Sequence, residues 1–226
     1  VALLKRKGLE RKYRVEALEG LAKARNTDPL TELIGGLRGL DQKGEDSEPV
    51  LRDLAVILLQ TKPADLAAKR SDLEKLATEA QLPLTRQMAY AAVITADGSA
   101  DRTWPQVASD SAKLSDVLLA IPLLRDTNLR AALYPKVQPL LPKAEPAEVH
   151  RASIAAIAAV PGHDAETFNT LAALVQSGTE REAAVASLQK LPRKSWPREQ
   201  AAMLIENLVG YLQSVPVDKR TEPEAL

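Results

Sequence analysis

Apolar residues return at the same helical spacing in one segment after another. Leu51, Leu54, Ala55, Leu58 and Leu59 stand at i, i+3, i+4, i+7 and i+8. Leu114, Val117, Leu118 and Ile121 repeat the pattern, as do Phe168, Leu171, Ala172 and Val175, and then Ala201, Leu204, Leu208, Tyr211 and Leu212. This is the ~3.6-residue period of helices that bury one face. No stretch keeps a strand-like alternation with a turn pair between two arms, so no sheet is expected.

The interruptions come at regular intervals and carry helix-start chemistry. "TERE" (Thr179 to Glu182) and "TWPQ" (Thr103 to Gln106) fit the capping box. Pro29, Pro49, Pro63, Pro105 and Pro197 suit a first helical turn, and Asp126 and Asp164 suit an N-cap. The spacing predicts first helices over about 10–25, 48–60, 84–95, 113–124, 147–160 and 180–191. Their partners fall over about 28–40, 63–79, 99–110, 127–141, 163–176 and 197–214. A helix-pair period in the thirties predicts an all-α fold, a right-handed α-solenoid of about six helix pairs. Residues 1–226 are then one repeat domain, opening on Val1 without an initiator Met and reading as a piece of a longer protein.

Composition removes several functions. Cysteine is absent, which excludes disulfides, thiolate metal sites, thiol nucleophiles and a CxxCH haem attachment within this chain. Lys plus Arg and Asp plus Glu are both 30, so no whole-molecule field draws in nucleic acid. Aromatic residues are only 3%, too few for base-stacking platforms. Charge or proline interrupts every apolar run before the ~18 residues of a membrane span.

The words "YRVEALEGLAK" (13–23), "TRQMAYAAVI" (85–94) and "HRASIAAIAAV" (150–160) each place an arginine ahead of small and aliphatic residues. In this register the chain resembles HEAT repeats. The ankyrin "TPLHxA" box and the tryptophan–glycine–tyrosine pattern of TPR repeats are absent. A narrower likeness rests on "KYRVEALEGLAKARNTDPLTELI", "RQMAYAAVITADG", "LLAIPLLRDTNLRAALYPKV" and "LPRKSWP" with "YLQSVP" downstream. These resemble the helical region of large multidomain bacterial proteins that join HEAT-like repeats to c-type cytochrome and dehydrogenase-like domains. That resemblance implies an exported, redox-associated parent, periplasmic or otherwise exported, whose haem or other cofactor chemistry belongs to domains outside this chain.

Individual residues offer little chemistry. His150 and His163 flank one break, near Glu148 and Asp164, but lack further ligands; a solvated helix end is the preferred reading over a metal site. Trp104 and Trp196 share the word "WP" and serve either as exposed anchors or, preferably, as plugs beneath a helix start. Lys5, Arg6, Lys7, Arg11, Lys12 and Arg14, against Glu10, form a phosphate or acidic-partner patch or, preferably, the wet face of a terminal helix. "LIGGLRGL" (33–40) lacks the lysine and the preceding strand of a phosphate loop, so its glycines serve close packing or loosen the first repeat. Pro122, Pro135 and Pro139 should kink or break the fourth helix pair.

The sequence offers no catalytic, cofactor-binding or metal residue. The expected role is a non-catalytic scaffold or protein–protein interaction module within a larger protein. Its partner is another protein or a neighbouring domain, with no nucleic acid and no membrane insertion. The alternative is an accessory helical segment of an exported redox enzyme. Residues 10–45, which hold the glycines and are followed by "RGLDQKGEDSE", are expected to unfold first.

Overall fold

The computed structural model describes residues 3–4, 6–42, 48–142 and 146–217, and it contains helices and turns with no strand among them. The chain divides into two units, residues 1–132 and 133–226.

In the first unit the elements are α1 (Arg11–Arg25), α2 (Pro29–Arg38), α3 (Glu48–Gln60), α4 (Pro63–Ala68), α5 (Arg70–Glu79), α6 (Pro83–Asp97), α7 (Trp104–Val107), α8 (Ser111–Ala120) and α9 (Thr127–Ala131). The second contains α10 (Tyr134–Val137), α11 (Ala147–Ile157), α12 (Asp164–Ser177), α13 (Arg181–Leu188) and α14 (Arg198–Ser214). All six expected first helices are present, as α1, α3, α6, α8, α11 and α13. The partners depart more. Residues 63–79 divide at Lys69, and residues 99–110 keep only the single turn α7. Pro122, Pro135 and Pro139 act as expected: α8 ends at Ala120 in a 3-10 turn, and the 127–141 helix becomes α9, α10 and another 3-10 turn.

The connections are short because the chain turns sharply at a few left-handed residues. Asn26 ends α1 at φ 53°, and Gly178 ends α12 at φ 79°. The tight turn after Gly178 also overrides the expected capping box. Glu180, not Thr179, occupies the N-cap of α13, itself left-handed at φ 48°, and makes no side-chain cap. Thr103 fails as a cap for another reason. Its backbone is already helical, since the Trp104 N–H donates to the Ala100 carbonyl, and its buried hydroxyl has no partner. Asp164 lies one residue inside α12, where it accepts from the Ser195 hydroxyl at 2.9 Å. Asp126 does cap α9, and Asp28 and Asp110 cap α2 and α8.

The helices pack on elements one to three places away along the chain. In the first unit α6 is the central element, set against α3, α4, α5 and α8. Met88 through Ile94 are all buried, and four of these seven are alanine or valine, side chains short enough to admit neighbours on several sides. Asp41, itself buried, holds the entry to α6 by accepting from the Gln81 and Leu82 N–H groups at 2.6 and 2.9 Å. In the second unit α12 packs on α13 and α14 around Phe168, Leu171 and Val175. Gly36 is buried under Leu4, but a Cβ there would meet Leu4 Cδ1 at an ordinary 3.7 Å, so that packing does not demand glycine.

A recurring arginine ties successive elements together. Arg86, Arg130 and Arg181 each donate to the carbonyl six residues earlier, those of Ala80, Leu124 and Val175, at 3.0, 3.0 and 3.1 Å. Arg86 also reaches forward to Asp116 of α8 at 2.5 Å. Arg14 makes the same kind of clamp on α1. It donates to the Leu4 carbonyl, to the Arg6 carbonyl at 2.9 Å and to Asp53 of α3 at 3.1 Å. Arg14 is fully buried, which corrects its assignment to a wet basic face; Arg6, Lys7, Arg11 and Lys12 are exposed as expected, and Lys5 lies outside the described residues. Two backbone carbonyls and a carboxylate engage Nη1 and Nη2 of the buried guanidinium, while its Nε has no partner.

Candidate functional site

An apolar concavity in the first unit opens between the α1–α2 hairpin and α3–α4. Leu18, Leu30 and Leu33 form its buried floor, and Val15, Ile57 and Ala68 its walls. Its volume is about 570 Å³, within the ~300–1,000 Å³ of ligand and side-chain pockets. At the mouth stand Glu19, Asp28, Asp65 and Lys69.

One of those acids is already engaged. Asp28 caps α2, its Oδ1 accepting from the Thr31 N–H at 2.9 Å and its Oδ2 from the Thr31 hydroxyl at 2.7 Å, and Lys69 Nζ lies 2.7 Å from that same Oδ2. Partial burial pushes the Asp28 carboxyl up, but the hydrogen bonds from Lys69 and Thr31 outweigh it and hold the pKa at about 2. The folded value lies below the ~3.9 of an unfolded aspartate, so its contribution is complete above about pH 4 and is lost as pH falls toward 2. Because both side chains remain partly exposed, solvent screening keeps the effect small. Asp28→Asn is expected to flatten that part of the stability–pH curve in acid titrations followed by circular dichroism. An undiminished acid slope in the variant would contradict the assignment.

A second polar constellation lies in the second unit. The Tyr134 and His163 rings stack at 3.5 Å with a 12° tilt. Glu166 Oε2 accepts from the Tyr134 hydroxyl at 2.9 Å and lies 3.1 Å from His163 Nδ1. Burial first, then the bond to Glu166, raises the Tyr134 pKa, while the bonds from Tyr134 and His163 lower that of Glu166. With both donors spent on one exposed carboxylate, the cluster fastens the first turn of α12 to α10.

His150 does not join it. Its ring is buried on α11, where Nε2 donates to the Leu141 carbonyl at 3.0 Å and Nδ1 has no partner. The solvated helix end expected for it is corrected to a core position. Among the described residues no group of three or more His, Asp or Glu is placed to hold a metal ion. No helix among them is long and apolar enough to cross a membrane.

No protein-family model matches the chain, and no curated protein or solved structure is significantly similar to it. What the sites can do therefore follows from their own residues.

Trp196 is half-buried; its ring lies 5.1 Å from Phe168 at a 47° tilt, and its N–H points to the Leu191 carbonyl at 3.4 Å. It plugs the packing beneath α14, the role preferred from the sequence. Trp104 is likewise half-buried at the start of α7. The groove itself had no signal in the sequence, since its walls come from four helices and none of its residues forms a motif.

Proposed function

We propose that this chain is a right-handed, HEAT-like α-solenoid of about six helix pairs that serves as a non-catalytic scaffold and protein–protein interaction module within a larger multidomain protein. The observation that carries this reading is the packing of helices on elements one to three places away along the chain, with Arg14 and Arg86 each clamping the preceding segment to an acid of the next first helix. Packing of that kind builds surface in proportion to length and leaves extended faces for a partner. The polar clusters support it in a second way. Tyr134, His163 and Glu166 satisfy one another, and His150 is spent on a backbone carbonyl, so neither histidine is poised as a base beside a nucleophile.

Photo-cross-linking residues placed one at a time at Val15, Arg102, Glu148 and Met203, in the cells that make the protein, test this role. The expected result is adducts to one defined protein from one site, or from neighbouring sites, and none from the rest. Absence of protein adducts at every position would overturn it.

A further inference from the structure

The groove between α1–α2 and α3–α4 is apolar within and acidic at its rim. Asp28 is neutralised by Lys69 at 2.7 Å. Glu19 and Asp65 are exposed and have no ion-pair partner among the described residues. Two uncompensated carboxylates thus stand over a pocket whose wall residue Val15 remains 37% exposed, in a chain whose net charge is zero. Glu19 and Asp65 can each take a cation brought by an occupant. An occupant has to cover aliphatic surface and bring positive charge to the rim at once. With no strand among the described residues, no sheet edge is on offer, and an amphipathic helix laid in the groove meets both demands at once.

We propose that this groove docks an amphipathic helix of a partner protein, with aliphatic side chains seated on Leu18, Leu30 and Leu33 and a lysine or arginine set against Glu19 and Asp65. This rests on the interaction-module reading and gives its partner a chemistry. A lysine- or arginine-bearing residue at the edge of the apolar face would neutralise the rim, steer the encounter and discriminate against acidic competitors.

The test uses the whole chain and three short synthetic helices: one of leucine and lysine, one with every lysine replaced by glutamate, and one with every leucine replaced by serine. Fluorescence anisotropy at low and high salt measures binding, and methyl NMR shifts locate it. The leucine–lysine helix is expected to bind about tenfold or more tightly than either control, to weaken with salt and to shift Leu18, Leu30, Leu33 and Ile57. The double variant Glu19→Lys/Asp65→Lys should weaken that helix about tenfold and bring the glutamate helix above it. Val15→Glu, at an exposed position, should block the walls while leaving the fold intact, as circular dichroism would verify.

Equal binding of the lysine and glutamate helices overturns the proposal, as does indifference to both variants or the absence of binding by any probe. A dimer in sedimentation equilibrium that Val15→Glu dissociates also overturns it, by identifying the occupant as a second copy. Photo-adducts to one protein away from Val15 would overturn the groove while leaving the interaction module standing; absence of adducts everywhere would remove the module itself.

Discussion

Phe168→Ala is expected to cost about 3–5 kcal/mol of stability, the largest loss from any single truncation in residues 133–226. Phe168 is the only phenylalanine in the chain and is fully buried on α12, between the Leu171 and Val175 face and the Trp196 ring. Removing it takes away the apolar transfer energy and leaves a cavity whose walls are helices fixed on other sides. It also frees Trp196, which relies on that contact and on a long 3.4 Å hydrogen bond to Leu191. Phe168→Leu refills most of the volume and is expected to cost clearly less. Urea denaturation of both variants checks the order, with Trp196 emission as the local reporter in a Trp104→Phe background. Equal, small losses for the two variants would mean that α12 does not close over Phe168.

Arg14→Ala is expected to cost about 2–4 kcal/mol, because the guanidinium satisfies the Leu4 and Arg6 carbonyls and pairs with Asp53. The left-behind Asp53 side chain is 42% exposed and can return to water, so the loss stays below that of a doubly buried pair. Arg14→Met keeps most of the stem and should recover the packing but not the hydrogen bonds. Arg14→Lys should fall between Met and the native residue, since an ammonium group cannot reproduce the fork. Had Arg14 belonged to a solvated basic face, all three changes would stay within about 0.5 kcal/mol. Equilibrium unfolding of the three variants, each with amide exchange over residues 6–25, separates the two accounts.

The first helices were legible because their apolar period is local, and a period survives whatever it packs against. Their partners were less so. Lys69 divides the 63–79 segment while its ammonium reaches Asp28, a tertiary tie without a local signal. Arg14 shows the same limit more sharply. Its neighbours Arg11, Lys12 and Tyr13 are exposed, so charge density alone placed it in water, although it sits one turn ahead of Leu18 on the buried stripe. The alignment of Arg14 with Arg86 in the self-similar words held the missing information, since both prove to clamp the preceding segment and an acid of the next first helix. The capping boxes at Thr103 and Thr179 failed because a box in sequence does not specify where the preceding turn ends. Asp41, which holds the start of α6 from forty residues away, could be found only once the chain had folded.

Burial also moves the expected point of weakness. Six residues of α2 and three of α1 are buried, including Arg14, whereas α14 buries Leu204 alone and exposes Met203, Ile205 and Val209. The first element to open is therefore expected to be α14, not residues 10–45. Native-state hydrogen exchange across low denaturant tests the central claim, a chain whose stability is summed over contacts between neighbours, most directly. The account predicts graded opening, with α14 exchanging first, α12 and α13 after it, and the buried amides of α6 holding longest. A single opening free energy shared by every protected amide, with α14 held as long as α6, would contradict it.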